Sequence, residues 1–168
     1  MEMVWNGGRS VRVTGRGVSL TLDGGLDFGD RAFARPGEYD VQGVPVIGVQ
    51  SRAGAALNTI FSAYVEGVAV CHVGALTEPL TTAQIDALGP VDVLLLPLGG
   101  GPDPVELVNA LDPKVVVPLP LDASAAEAFY RQVGEPQPAA KLTITADKLP
   151  EARTLLGLTA PKTAKKAA

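Results

Sequence analysis

Apolar and polar residues alternate with a period near two through much of the first half of the chain, which is typical of strands with one buried face. Residues 11–13 and 18–22 follow this pattern, and the glycine-rich segment 14–17 between them predicts a hairpin turn. The dipeptide Glu66-Gly67 predicts another two-residue turn, because glycine adopts a positive φ without steric cost. Further apolar, β-branched runs lie at residues 41–49, 58–65 and 68–73.

The second half alternates between helix and strand patterns. A helix is predicted over residues 80–88, with Thr81 or Thr82 as its N-cap. Asp103-Pro104 predicts the start of a second helix that ends at residue 111, because proline is favoured in a first helical turn. A third helix is predicted over residues 122–133. Buried strands are predicted at residues 91–98 and 115–119, and short closing strands at residues 141–145 and 153–156.

Antiparallel hairpins followed by strand–helix–strand units indicate an α/β fold with two mixed sheets and flanking helices. The chain has 168 residues and is 46% hydrophobic, which is enough for one domain with a proper core. Residues 1–158 are therefore predicted to form a single domain. The tail, residues 159–168, contains three lysines and no large apolar residue, and it is predicted to be disordered.

The net charge, the cysteine content and the apolar runs indicate which partners and which cellular compartment to expect. The net charge of −4 argues against a general nucleic-acid-binding surface. The single cysteine excludes an intrachain disulfide and is typical of a reducing compartment. The N-terminal residues lack the pattern of a signal peptide, and the longest apolar run is far shorter than a membrane helix requires. We therefore expect a cytoplasmic protein with no membrane partner.

Two motifs are candidates for chemistry, and each also has a structural explanation. Cys71 and His72 are adjacent in a predicted strand, where neighbouring side chains point to opposite faces, so a packed cysteine and a hydrogen-bonded histidine are favoured over a nucleophile and its base. The glycine run 99–101 lies between a strand and a helix, where backbone N–H groups can hold an anion. It lacks the Lys-Ser/Thr of a phosphate-binding loop, so a plain turn is favoured.

Charged residues cluster in the N-terminal part of the chain. Acidic oxygens there could bind Mg²⁺ or Ca²⁺, but the spacing of an EF-hand is absent and a solvated loop is favoured. The arginines could bind a phosphate or a carboxylate, although pairing with the nearby acids is the simpler interpretation. The acids are Asp23, Asp27, Asp30, Glu38 and Asp40, and the arginines are Arg9, Arg12, Arg31, Arg35 and Arg52.

Several of these segments resemble, in the same order, the motifs of the metallo-β-lactamase superfamily. The branch they resemble is the small Zn-dependent hydrolases related to L-ascorbate-6-phosphate lactonase. Residues 5–13 are similar to its opening strand with Trp-Leu-Gly-His, and Pro36-Gly37-Glu38-Tyr39 is similar to its Pro-Gly-Glu-Tyr element. Cys71-His72-Val73-Gly74 resembles part of its central hairpin, and residues 80–100 and 114–118 continue the match. The resemblance implies a reduced αββα sandwich.

The same resemblance implies that the metal ligands of the family are missing. The family's His-x-His-x-Asp-His segment would lie between Asp23 and Pro36, but only twelve residues separate these two and none is histidine. The other ligand positions are occupied by residues without a metal-binding side chain: Gly8, Ala53, Ala75 and Pro120. The residues left as candidates for a residual cleft are Asp23, Glu38, His72, Gly99 and Gly100.

The sequence thus predicts a metal-free, non-catalytic domain that acts by protein association or by binding a small ligand, with no cofactor. The alternative is a zinc- or manganese-dependent hydrolase of lactones or phosphoesters whose metal ligands are relocated or supplied by a partner. A homodimer is the expected assembly, and a different protein partner is the alternative. The missing segment would have supplied a helix that covers a sheet face. Residues 41–49 are apolar at nearly every position, which is typical of a strand buried on both faces. A second copy of the chain is the simplest cover, because two-fold dimers are the commonest oligomers.

Truncation tests the predicted domain boundary. A chain that ends at Leu158 should remain soluble and keep its melting temperature, because the removed residues cannot bury useful apolar area. Thermal unfolding followed by circular dichroism compares the two chains. Insolubility of the shorter chain, or a loss of several degrees, would place part of the tail inside the domain.

Overall fold

The computed structural model of the protein describes residues 1–159. The helices are α1 (Thr82–Leu88), α2 (Pro104–Leu111), α3 (Ala123–Val133) and a short 3-10 helix (Ala146–Lys148). The first nine strands are β1 (Glu2–Gly7), β2 (Ser10–Gly15), β3 (Val18–Leu22), β4 (Leu26–Asp27), β5 (Ala32–Phe33), β6 (Gly37–Val41), β7 (Val44–Ala53), β8 (Ala56–Val65) and β9 (Val68–His72). The remaining strands are β10 (Val93–Leu98), β11 (Val115–Pro120), β12 (Gln137–Ala139), β13 (Leu142–Thr143) and β14 (Thr154–Leu158).

Two-residue turns ending in glycine join three of the hairpins. Arg16-Gly17 joins β2 to β3, Gln42-Gly43 joins β6 to β7, and Glu66-Gly67 joins β8 to β9. Both residues of each turn have positive φ, which is the backbone geometry that matches the twist of antiparallel strands. The predicted turns at segment 14–17 and at Glu66-Gly67 are confirmed.

The strands form two sheets. The first contains six strands in the order β13-β1-β2-β3-β4-β5, and all its pairings are antiparallel. The second contains eight strands in the order β12-β14-β11-β10-β9-β8-β7-β6. Its pairings are antiparallel from β6 to β9 and parallel from β9 to β12, because helical crossovers replace the hairpins there.

The second sheet is buried on both faces around β10. Val93 and Leu95 point into a core shared with the first sheet, while Leu94 and Leu96 point into a second core with the helices. All three α-helices contribute to that second core, through Leu88 of α1, Leu107, Val108 and Leu111 of α2, and Ala126 and Phe129 of α3. The layers are therefore sheet, sheet and helices.

The predicted α/β fold with two sheets and flanking helices is confirmed, with two differences in detail. The first sheet is antiparallel rather than mixed, and the three helices cover only the outer face of the second sheet. The outer face of the first sheet instead carries exposed polar residues such as Glu2, Arg12 and Ser19. A polar face needs no helix to cover it, which explains how the chain forms its core without one.

Several boundaries differ from the prediction. The apolar run 41–49 is divided between β6 and β7 by the turn at Gln42-Gly43, and the predicted opening strand 5–13 is divided between β1 and β2. The closing segment 141–145 contains only the short β13, which pairs with β1 at the edge of the first sheet. In each case a turn or a distant strand partner, rather than local pattern, sets the boundary.

The predicted tail begins inside the described residues. Thr159, its first residue, donates its amide to the Ala139 carbonyl at 2.9 Å. Residues 160–168 lie outside the described residues. Among residues 1–159, no helix is long and apolar enough to cross a membrane.

Candidate functional site

Loops from both sheets meet at one edge of the sandwich and surround a cleft of about 300 Å³, here called the edge cleft. Arg9 reaches it from the turn between β1 and β2, and Gly54 from the turn between β7 and β8. The other walls come from the segments that follow β9 and β10. The full lining is Arg9, Ala53, Gly54, residues 73–77, Pro97 and residues 99–101.

His72 joins the two sheets directly beside this cleft. Its side chain is 1% exposed, and its Nδ1 accepts a hydrogen bond from the Gly74 amide at 2.9 Å. Its Nε2 therefore carries the proton and donates to the Arg9 carbonyl at 2.7 Å. Burial lowers the pKa of His72 to about 4, against a weaker opposing effect of the Arg9 carbonyl and of Asp23. Burial thus keeps the imidazole neutral, and the two backbone groups fix its orientation.

Cys71 points the other way, into the core beneath the helices. It is fully buried, and this burial raises the pKa of its thiol to about 12. The two neighbouring side chains lie on opposite faces of β9, as strand alternation predicts, so His72 does not contact the thiol as a base.

Asn58 fixes the segment after β9. Its side-chain amide donates to Ser51 Oγ and to the Val73 carbonyl, both at 2.9 Å, and its Oδ1 accepts from the Ala75 amide at 3.0 Å. Gly74 passes so close that a Cβ there would lie 2.5 Å from Asn58 Oδ1, and its φ is +66°. Only glycine satisfies both conditions at this position.

Thr77 anchors the wall that the turn between β7 and β8 forms. Its Oγ1 accepts a hydrogen bond from the Gly54 amide at 2.7 Å, and its amide donates to the Arg52 carbonyl at 3.0 Å. The walls of the edge cleft are therefore held by hydrogen bonds among protein groups, most of them involving backbone.

Among residues 1–159, Arg9 is the only charged residue that lines the edge cleft. Its Nε is buried and has no hydrogen-bond partner, and none of the ion pairs within residues 1–159 includes it. Across the cleft, none of the hydrogen bonds that the described loops make uses the amides of Gly99, Gly100 or Gly101. The cleft thus combines a cation with unused backbone donors.

The structure brings most of the predicted site residues to this edge. Ala53, Ala75, Gly99 and Gly100 line the cleft directly. Gly8 precedes Arg9 in the same turn, and Pro120 pairs with Leu98, the residue before Gly99. His72 lies directly behind the cleft, and Asp23 is close enough to influence its pKa.

Glu38 is not part of this arrangement. It is an exposed residue of the edge strand β6, opposite Ile47, and it does not line the cleft. Conversely, Ser51 and Asn58 were not among the predicted site residues. Asn58 carried a signal, because it is a polar residue at the start of an apolar strand run, and such residues are buried only when hydrogen-bonded. Ser51 lies between Gln50 and Arg52, so the local pattern gave no sign of its burial.

The side chains at this edge do not fit a zinc ion. A protein zinc site needs about three Cys, His, Asp or Glu ligands. Within residues 1–159, no cluster of three or more such side chains could hold a metal. The histidine beside the cleft already uses both ring nitrogens on backbone groups.

Two packed sheets with helices on one side, and a cleft where the loops of both sheets meet, define an α/β sandwich. A family model described as a beta-lactamase superfamily domain matches residues 29–120. Since this is more than half of the chain, the protein belongs to the β-lactamase superfamily. A search of curated proteins gave no match.

Solved structures agree with this fold. A candidate Zn-dependent hydrolase of the metallo-β-lactamase superfamily from Thermotoga maritima superposes with a TM-score of 0.82 at 24% identity, over 95% of this chain and 99% of that one. A metallo hydrolase from the archaeon Ignicoccus hospitalis superposes with a TM-score of 0.56 at 14% identity, over 92% and 94% of the two chains. At these identities the comparisons establish the fold alone.

Substitutions test the structural role of Cys71 and His72, the neighbouring residues of β9. His72→Gln should destabilise the fold by roughly 1–3 kcal/mol, because it disturbs buried hydrogen bonds to both sheets. Cys71→Ser should cost a similar amount by burying a hydroxyl in an apolar core. Urea unfolding at neutral pH measures both effects. Unchanged stability of both variants would contradict a structural role.

The pH dependence of stability isolates His72. Its pKa is about 4 in the folded protein and near the ordinary histidine value of 6.5 when unfolded, so the unfolded chain takes up a proton first as the pH falls. The stability linked to neutral His72 is therefore fully present above pH 6.5 and is lost between pH 6.5 and 4. His72→Gln should flatten the stability curve in that window. A curve with the wild-type slope would show that another group controls it.

Proposed function

We propose that this protein is a pseudoenzyme of its superfamily: a metal-free domain that binds a small ligand in the edge cleft without hydrolysing it. One observation carries the proposal. Of the positions expected to supply metal ligands, Ala53 and Ala75 line the cleft and Gly8 and Pro120 lie beside lining residues. None of the four has a donor side chain. The walls keep their shape through Asn58, Thr77 and His72 rather than through a metal.

The resemblance to the branch that includes L-ascorbate-6-phosphate lactonase is part of this proposal. The ordered motifs, from Pro36-Gly37-Glu38-Tyr39 to Cys71-His72-Val73-Gly74, support it. The alternative is a zinc- or manganese-dependent hydrolase whose ligands come from a partner. The free cysteine supports a cytoplasmic location. The described residues that line the cleft include no Cys, His, Asp or Glu, which supports a metal-free site.

Metal content separates the two functions. The protein purified at neutral pH without chelator should carry well below one equivalent of zinc, manganese or iron per chain, because three donor side chains do not converge within the described residues. Inductively coupled plasma mass spectrometry after dialysis measures this. About one tightly held metal per chain, or lactone or phosphodiester hydrolysis that a chelator abolishes, would support the hydrolase instead.

We also propose that the protein forms a homodimer. The outer face of the first sheet is polar and needs no covering helix, so this proposal is based on another surface. The outward side of β7 and β8 beside the end of α1 forms a groove of about 550 Å³, here called the apolar groove. It contains Pro45, Ile47 and Tyr64, and Tyr64 is 52% exposed. Exposed apolar patches of this kind are common at interfaces, and two-fold self-association is the simplest way to cover one.

A pair of matched variants tests the dimer. Sedimentation equilibrium at micromolar concentration should give twice the chain mass of 17.3 kDa for the wild type and the monomer mass for Tyr64→Glu. Leu57→Glu is the control, because Leu57 is 64% exposed but lies outside the apolar groove. A wild type that sediments as a monomer, or equal dimerisation of both variants, would refute the interface.

A further inference from the structure

The guanidinium of Arg9 is placed as a ligand-binding group rather than as a structural one. Arginine stays charged at any physiological pH, and a buried N–H without a partner costs free energy. Nε of Arg9 is such a group, since it is buried and makes no hydrogen bond. The turn itself does not need this side chain, because the contact that anchors it to β9 uses the Arg9 carbonyl. The guanidinium therefore makes no hydrogen bond or ion pair within residues 1–159 that a ligand would have to displace.

The surroundings select the charge of that ligand. Among residues 1–159, no carboxylate lines the edge cleft. Asp23, which influences His72 from nearby, does not line it, and its Oδ1 accepts from the Gly25 amide at 3.0 Å. The cavity on the other side of residues 99–101 differs, because Asp103 lines it and no cation of the described residues does. The edge cleft is thus lined by a cation without a carboxylate, whereas its neighbour has a carboxylate without a cation.

The opposite wall supplies neutral donors. Gly99, Gly100 and Gly101 line the cleft, and their amides are not used in the hydrogen bonds of the described loops. Gly99 and Gly100 have φ values of +141° and +72°, so the loop follows a path that side-chain-bearing residues rarely adopt. A cation facing unused amides is the arrangement that binds oxyanions in proteins.

We propose that the edge cleft binds a small oxyanion ligand, with Arg9 as its principal anchor and the amides of residues 99–101 as further donors. The ligand is a small molecule bearing a carboxylate or a phosphate, because both present the paired oxygens that a guanidinium binds. A volume of about 300 Å³ fits such a small molecule and excludes a folded macromolecule. This inference rests on the proposed function, in which no metal occupies the cleft.

Anion titration tests the assignment. Isothermal titration of the full chain with inorganic phosphate and, separately, with malonate, both at constant ionic strength, should show saturable binding of at least one anion at one site. Arg9→Gln should weaken that binding by about tenfold or more, and Arg9→Lys should weaken it less, since it keeps the charge but not the fork of donors. Arg12→Gln makes the same change of charge on the exposed outer face of the first sheet, and it should bind like the wild type.

The outcomes distinguish this inference from the proposed function. Absence of saturable binding by the wild type, or equal binding by the wild type and Arg9→Gln, would overturn the inference. Arg9→Gln should keep the wild-type melting temperature, which shows that any loss of binding is not loss of the fold. If the same preparation contains no metal and binds neither anion, only the assignment of Arg9 fails. If it contains stoichiometric zinc, the metal-free function fails whatever the anions do.

Discussion

Burial of the central strands on both faces is the constraint on which the rest of this structure depends. β10 contributes Val93 and Leu95 to the core between the sheets and Leu94 and Leu96 to the core beneath the helices. A strand of this kind stays in place only if both layers are present, since truncating one such leucine to alanine costs about 2–5 kcal/mol. The antiparallel first sheet and the three helices are therefore each required, and the loops at the strand ends take their positions from them.

The positions of the strands in that core determine the geometry of the edge cleft. β9 and β10 end side by side, so the segments that follow them, at Gly74 and at Gly99, form adjacent walls. His72 then connects this edge to the first sheet through the Arg9 carbonyl. These connections are made by buried neutral groups, and they hold the walls of the cleft in place.

Local signals in the sequence were sufficient for much of the fold. α2 begins after Asp103 and ends at Leu111 as predicted, because the capping aspartate and the first-turn proline act within a few residues. α1 has Thr81 as its N-cap for the same reason. The turn at Gln42-Gly43 was missed because apolar residues continue on both sides of it, so the pattern indicated one strand.

The layers and the site could be predicted only in part. The resemblance identified Gly8, Ala53, Ala75 and Pro120 as related positions, and the structure places them around or beside one cleft. The one-sided placement of the helices depends on long-range packing, which no local pattern encodes. The significance of Arg9 also depended on the fold. In the sequence it is one of several arginines near acidic residues, and only its burial without a partner distinguishes it.

A crystal structure of the protein soaked in zinc and phosphate together, with anomalous data collected at the zinc edge, tests the central claim most directly. The account predicts phosphate density against the guanidinium of Arg9 and no anomalous peak inside the edge cleft. A strong zinc peak inside that cleft, coordinated by side chains of this chain, would contradict the account.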